Sequence, residues 1–328
     1  MIPISILDLC PITEGGSAEK SFQSTLELAQ CAEALGYKRY WLGEHHGLPG
    51  VASSATAVLI AYLAGQTKHM LIGAGGVMLP NHSPMMVAET YATLATLYPG
   101  RIELGLGRAP GTDPRTVRAL RRHFESDADG FPDDVQELLA YFQPDSEQSV
   151  RAVPGAGVDI PVWILGSSLF GARLAARLGM PYAFASHFAP AMLMQALDVY
   201  RNEFQPSDYL AEPHVMVGYN VFAADTDEDA MLMASSAQQS FLNMRKGKPS
   251  QLPTPKKNFY MNLGAMEKLV VEQTLGASAI GSPETVHQQL QEFVDKTKAD
   301  ELIVSTAVYY QDDRLRSYEL LAKIMSKK

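Results

Sequence analysis

The stretch Tyr40-Trp41-Leu42-Gly43-Glu44-His45-His46-Gly47 joins a short apolar segment to a carboxylate and two imidazoles. The apolar residues are typical of a buried strand, and the polar residues stand on the turn that follows it. In a (β/α)₈ barrel, the turn after a strand lies at the rim where active sites are built. Charged groups are seldom buried without a partner, so a buried segment has little structural reason to end in them. The pattern therefore favours a functional histidine on this turn over a merely structural one.

Segments of strand length alternate with helical patterns on both sides of this stretch. Phe22 to Leu35, for example, has apolar residues at helical spacing and is followed by Gly36, which is typical of a helix end. Because eight strands are separated by helices, the sequence predicts a parallel α/β fold, and eight repeats favour a closed (β/α)₈ TIM barrel over an open doubly wound sheet. The predicted strands are Ile4–Asp8, Arg39–Gly43, Met70–Leu79, Ile102–Leu106, Pro161–Leu165, Tyr182–Ala185, His214–Phe222 and Glu301–Thr306.

Two regions interrupt this alternation. After the fourth strand, residues from about 107 to 160 contain an arginine-rich helix, an acidic turn and a second helix. Between the seventh and eighth strands, residues 246 to 263 carry three prolines and several lysines without a period, which predicts a mobile loop or lid. We therefore expect the chain, 1–328, to be a single barrel domain with insertions at these two places.

Composition excludes some classes of function. With 27 basic and 36 acidic residues, the formal charge is −9, which is unfavourable for binding nucleic acid or an anionic membrane. Cys10 and Cys31 are the only cysteines and are interpreted as reduced core thiols, and no residue spacing predicts a metal site. The N-terminus begins as a strand without the features of a signal peptide, so we expect a cytoplasmic protein.

An arginine follows the fourth strand in the stretch Gly105-Leu-Gly107-Arg108-Ala-Pro110-Gly111. The glycine spacing and the proline differ from a dinucleotide-binding fingerprint, so no such site is predicted. Arg108 is suited to bidentate contact with a phosphate or, equally, to an ion pair with a nearby carboxylate.

Three more strand ends carry candidate binding residues. Gly166-Ser167-Ser168 precedes a helix, whose free N–H groups favour an anion, and a helix cap alone would need only one serine. Gly73-Ala-Gly75-Gly76 indicates the close approach of another group, either a flat ring or a packed helix. Ser186-His187 ends the sixth strand, where His187 could face a substrate or be structural.

Several motifs, taken in order, resemble the bacterial-luciferase-like flavin monooxygenases, from the first strand to the last helix. Three motifs look particularly like the YhbW-type subgroup of that family, namely Leu79-Pro-Asn81-His82-Ser83-Pro84, Gly107-Arg108-Ala-Pro-Gly111 and Phe184-Ala-Ser-His-Phe-Ala-Pro190. The other matching motifs are Leu42-Gly-Glu44-His45-His46, the segment from Gly73 to Pro80, Gly100-Arg101-Ile-Glu-Leu-Gly-Leu-Gly107-Arg108, Gly166-Ser167-Ser168 and Gly281-Ser282-Pro283-Glu284.

This resemblance implies a monooxygenase that binds FMN in its reduced form, supplied by a separate reductase. The flavin would react with O₂ through a C4a-(hydro)peroxyflavin and oxygenate a small, apolar organic substrate. His45 matches the active-site histidine of the family, and Glu44 is the second catalytic candidate. The residues predicted to bind the cofactor are Gly75 and Gly76 as a non-prolyl cis peptide, Arg108, Gly166, Ser167 and Ser168 at the phosphate, and Ser186 and His187 beside the flavin.

Two other functions are compatible with these motifs. One is a flavin or deazaflavin oxidoreductase that transfers hydride without oxygen, and the other is an FMN-binding protein without catalysis. A lyase on the same barrel would need a Schiff-base lysine or metal ligands at the strand ends, and neither is found. The expected partners are a flavin reductase, the substrate and O₂, with a homodimer as a further expectation and with neither nucleic acid nor membrane.

Overall fold

The computed structural model describes residues 2–120, 130–144 and 149–326. The acidic turn predicted after the fourth strand lies outside these ranges. The strands are β1 (Ile4–Asp8), β2 (Arg39–Leu42), β3 (Leu71–Met78), β4 (Ile102–Gly107), β5 (Val162–Gly166), β6 (Tyr182–Phe184), β7 (Val215–Ala223), β8 (Ser278–Gly281) and β9 (Glu301–Ser305). The helices are α1 (Ala18–Ala34), α2 (Thr56–Ala64), α3 (Pro84–Leu97), α4 (Pro114–Leu120), α5 (Phe131–Phe142), α6 (Leu169–Leu178), α7 (Leu193–Glu203), α8 (Asp227–Arg245), α9 (Ala265–Thr274), α10 (Pro283–Thr297) and α11 (Gln311–Ser326).

Eight strands close into a parallel ring. β1 to β7 pair in sequence order, β7 pairs with β9, and β9 pairs with β1. The fold is therefore the predicted (β/α)₈ TIM barrel, and each of these eight strands lies within one residue of its predicted bounds. Strand β8 was not predicted from the sequence; it pairs with Asn220–Ala223 at the end of β7.

Both predicted insertions are present. α4 and α5 follow β4, while α8 and α9, two helices that were not predicted, follow β7 and enclose residues 246–263. That segment contains only a 3₁₀ turn at Tyr260–Asn262. Its middle is attached to the barrel, because Leu252 N–H donates to Ile12 at 2.8 Å and its carbonyl accepts from Glu14 at 2.8 Å. Closing and opening of this segment stays a prediction.

The lower interior of the barrel contains a buried ionic layer. The Arg39 guanidinium donates to Glu103 at 2.8 Å and to Glu301 at 3.1 Å, which connects β2 to β4 and to β9. Above it, Trp41 and Trp163 pack edge to face with ring centroids 5.5 Å apart. The Trp41 indole also donates to Glu103 at 2.9 Å, so the ionic and aromatic layers are joined.

A second buried ion pair attaches the first strand to the surrounding helices. Arg314 on α11 donates to Asp8 on β1 at 2.7 Å, and the hydroxyls of Thr25 and Tyr40 donate to the same carboxylate. Burial alone would raise the pKa of Asp8, but Arg314 and the two hydroxyls together lower it below its usual value. Asp8 is therefore an ionised, fully compensated group beneath the mouth of the barrel.

Removal of Arg39 should destabilise the barrel strongly. Arg39→Ala leaves the Glu103 carboxylate buried without its cation, and breaking a buried pair in this way costs about 3–5 kcal/mol. The free energy of unfolding in urea measures this loss. Lys257→Ala, which removes an exposed pair with Glu228, is the control and should leave the unfolding midpoint unchanged. Equal midpoints for the two variants would contradict the structural role of the ionic layer.

Candidate active site

A cavity of about 640 Å³ opens at the carboxyl ends of the barrel strands. This volume is in the range of sites for cofactors and small molecules. Glu44 and Ser186 are buried and do not line the cavity. The other predicted site residues all line it, namely His45, Gly75, Gly76, Arg108, Gly166, Ser167, Ser168 and His187.

His45 lies on the turn after β2, with its ring at the cavity wall. Its Nδ1 is buried and has no hydrogen-bond partner among the described residues. Burial lowers the pKa of His45 below its usual value of 6.5, although the neighbouring Glu44 carboxylate acts in the opposite direction. A neutral imidazole can donate a proton from one ring nitrogen and accept one at the other, so His45 is suited to holding or moving a proton at the cavity.

Glu44 holds together the loops around His45. Its Oε1 accepts from Nε2 of His46 and of His82, both at 2.8 Å, and its Oε2 accepts from Met78 N–H at 3.0 Å. Burial alone would raise the pKa of Glu44, but His82, His46 and the Met78 N–H lower it. The carboxylate is thus ionised and satisfied outside the cavity. This geometry assigns it a positioning role, and its catalytic role stays a prediction.

The glycines of β3 present bare backbone to the cavity. The Gly75–Gly76 peptide is cis, as the resemblance implies. A Cβ at Gly75 would lie 2.8 Å from the Trp41 ring, and one at Gly76 would lie 2.6 Å from the Gly105 carbonyl oxygen. The approaching groups are therefore an indole inside the barrel and the neighbouring strand β4. Neither a bound ring nor a packed helix is needed to explain these glycines.

Arg108, Ser167 and Ser168 present groups suited to contact with an anion, and we call them the anion site. The Arg108 guanidinium lies 4.0 Å above the ring of Phe170, in the first turn of α6. Within residues 2–120, 130–144 and 149–326, no carboxylate is close enough to Arg108 for a salt bridge, so the ion-pair interpretation is unsupported there. Ser168 is at the N-cap but makes no capping hydrogen bond, and no described group bonds to the Ser167 hydroxyl. A helix N-terminus with these groups attracts phosphate.

His187 lies on the loop after β6, the strand next to β5 in the ring. Its ring packs over Gly218, where a Cβ would lie 2.3 Å from Nδ1, and its carbonyl accepts from the Asn220 side chain at 2.6 Å. Ser186 secures the same loop through a hydrogen bond to the Gly218 carbonyl. Burial, assisted by His45, lowers the pKa of His187 to about 4. Both imidazoles at the cavity are therefore neutral at pH 7.

The sequence analysis missed several lining residues. Asn220 interrupts the otherwise apolar, fully buried strand β7, and this interruption was a signal that could have identified it. Other residues come from α8, which was not predicted, or from the segment after it. The missed lining residues include Met78, Phe131, Phe170, Phe188, Ala237, Ser240, Phe241, Met244, Pro249, Ser250 and Leu252.

Two features are absent from the described residues. They contain no group of three or more histidine, cysteine or acidic side chains arranged to hold a metal ion. Within the same part of the chain, no helix has the length and apolar character needed to span a membrane.

Comparisons with known proteins identify the family of this chain. The family model described as luciferase-like monooxygenase matches residues 2–300. A protein named luciferase-like monooxygenase from Escherichia coli (strain K12) is 52% identical over 320 residues, covering 97% of this chain and 96% of the relative.

Two solved structures are similar to this chain over nearly its whole length. The crystal structure of apo-MsnO8 is 35% identical, has a TM-score of 0.93 and covers 100% of this chain and 99% of its own. The oxygenating constituent of 3,6-diketocamphane monooxygenase from Pseudomonas putida, solved with FMN, shares the fold at a TM-score of 0.74 and 19% identity, covering 98% of this chain and 97% of its own. The chain therefore belongs to the luciferase-like monooxygenase family, whose members are flavin-dependent oxidoreductases.

Proposed function

We propose that this protein is an FMN-dependent monooxygenase that uses O₂ and reduced flavin, delivered by a separate reductase, to oxygenate a small organic molecule. One observation carries the proposal: an anion site and a neutral imidazole share one cavity. Arg108, Ser167 and Ser168 form the anion site, and His45 provides the imidazole with its unpaired Nδ1. A phosphorylated flavin has a phosphate for the anion site and a ring system that can lie next to the imidazole.

The residues present fit FMN in two respects. Its phosphate would be held by the N-terminus of α6, the two serine hydroxyls and the Arg108 guanidinium, all of which are available among the described residues. Its ring system would lie in the cavity lined by the Gly75–Gly76 backbone, where no side chain intervenes. Reduced FMN, when bound, supplies the two electrons for the reaction with O₂.

His45 contributes the proton chemistry in this proposal. Its ring is neutral at pH 7 and lies at the cavity wall, so the imidazole can hold or accept a proton there. The apolar residues of the segment 249–252 and of α8 limit the access of water to the same space. Exclusion of water matters because it protects reactive oxygen species from hydrolysis and proton leakage.

The phosphate site can be tested with two flavins that differ only in the phosphate. Arg108→Ala should raise the Kd for FMN about 10- to 100-fold, as expected for loss of a charged hydrogen bond, and leave the Kd for riboflavin unchanged. Fluorescence titration measures both constants. Arg115→Ala, on the exposed face of α4, is the control and should change neither. Equal weakening of FMN and riboflavin by Arg108→Ala would show that Arg108 does not contact the phosphate.

His45 can be tested through the reaction of bound reduced FMN with oxygen. We expect wild-type protein to delay the return of oxidised-flavin absorbance in aerated buffer, while oxygen is consumed. His45→Ala should keep FMN affinity and shorten the delay about 10²-fold, the usual size of a general acid–base contribution. His69→Ala, at an exposed position, should behave as wild type. No oxygen consumption by wild type would instead favour a hydride-transferring oxidoreductase or a flavin-binding protein.

The pH dependence of the same delay gives a further test. The neutral form of a histidine is lost as the pH falls through its pKa, and burial lowers that of His45 below 6.5. The delay should therefore be constant from about pH 8 to about pH 6.5 and shorten only at lower pH. Stopped-flow absorbance across this range measures it. A transition centred above 6.5 would mean that His45 is not the titrating group.

A further inference from the structure

The wall of the cavity opposite the anion site is apolar. Arg108 and Ser167 follow β4 and β5, whereas this wall comes from elements across the ring, namely the loops after β1 and β2, helix α8 and residues 249–252. We call this surface the apolar wall. Its residues are Leu9, Pro11, Leu48, Val51, Phe241, Met244, Pro249 and Leu252.

The apolar wall offers no unpaired charge to a ligand. Besides its histidines, the charged residues described at the cavity are Asp8, Arg108 and Arg314. Asp8 and Arg314 pair with each other at 2.7 Å, and Arg108 belongs to the anion site. A charged group placed against the apolar wall would therefore be desolvated without a counter-charge, which is costly.

The mouth of the cavity also leaves apolar side chains in water. Met244 is 47% exposed and Phe188 is 42% exposed, although both line the cavity. An apolar ligand would cover part of this surface, and burial of apolar area is favourable at about 25 cal/mol per Å². Exposed apolar side chains concentrated at a cavity are typical of a binding site.

We infer that the apolar wall binds the substrate, and that this substrate is an uncharged, predominantly apolar molecule. Phe241 and Met244 from α8 and Leu252 from the facing segment determine this selectivity. The inference deepens the proposed function and rests on it, because oxygenation supplies the reason to hold such a molecule next to a flavin. Binding of the molecule itself does not require the flavin, so the two proposals can fail separately.

The test compares an uncharged ligand with an anion of the same chain length. Calorimetry measures binding of 1-octanol and of octanoate to the protein at pH 7, with and without saturating oxidised FMN. With FMN bound, so that Arg108 is occupied, we expect octanol to bind at least about ten-fold more tightly than octanoate, because the carboxylate then finds no counter-charge.

Variants on α8 locate the binding surface. Phe241→Ala should weaken octanol about ten-fold through lost apolar contact and leave FMN affinity unchanged. Met244→Lys should strengthen octanoate about ten-fold by adding a cation at the mouth. Met231→Lys is the matched control, because Met231 is on the same helix and 49% exposed but does not line the cavity; it should change neither ligand.

The outcomes separate the two proposals. Octanoate binding to FMN-saturated wild type as tightly as octanol, or octanol binding that Phe241→Ala leaves intact, would overturn the inference. Absence of octanol binding in protein that does bind FMN would also overturn it while leaving the proposed function standing. If wild type fails to bind FMN but binds octanol, and Phe241→Ala weakens that octanol binding, the result supports the apolar wall as a binding site and overturns the proposed function.

Discussion

The indole of Trp41 determines how the interior of the barrel is filled. It packs against Trp163, donates to Glu103, and occupies the space that a Cβ at Gly73 or Gly75 would need, at 2.9 and 2.8 Å from the indole. Strand β3 therefore has no side chain at residues 73 and 75, although Met78 at its end lines the cavity. The cavity above it gains a surface of backbone atoms, so the site depends on how the core below is packed.

The two ends of the barrel interior differ in where their buried charged groups find partners. At the lower end, the Arg39 cation is compensated by Glu103 and Glu301 inside the barrel. At the mouth, the Glu44 carboxylate accepts hydrogen bonds from His46 and His82 outside the cavity, so it holds the loops together without entering the site. The imidazoles that face the cavity are neutral because burial lowers their pKa. Among the described residues that line the cavity, Arg108 is the arginine that is not paired with a carboxylate. The cavity is therefore positively charged on the side of Arg108 and predominantly apolar on the opposite side.

The sequence was sufficient for the ring of strands and for eight of the residues that line the cavity at its mouth, because both depend on local patterns. Apolar runs ending in glycine, serine or histidine identify strand ends, and strand ends meet at one rim. Helix α8 was missed because its buried positions include Ser235, Ser236, Gln238 and Gln239, which obscure the apolar period. The role of Glu44 was missed because its partner His82 is 38 residues away, and no local pattern relates the two.

The anion site and the apolar wall differ in how readily their surroundings accept substitutions. The anion site is built on the turns after β4 and β5, next to strands β3 and β4, in which Gly76 and Gly105 have no room for a side chain. Substitution of either glycine would disturb the ring itself. Half of the apolar wall comes from α8 and residues 249–252, which pack on the barrel from outside the ring and are attached through the backbone contacts of Leu252. Side chains of these two elements can therefore change while the barrel and the anion site stay intact, so the proposed selectivity for substrate is physically separable from the proposed binding of the cofactor phosphate.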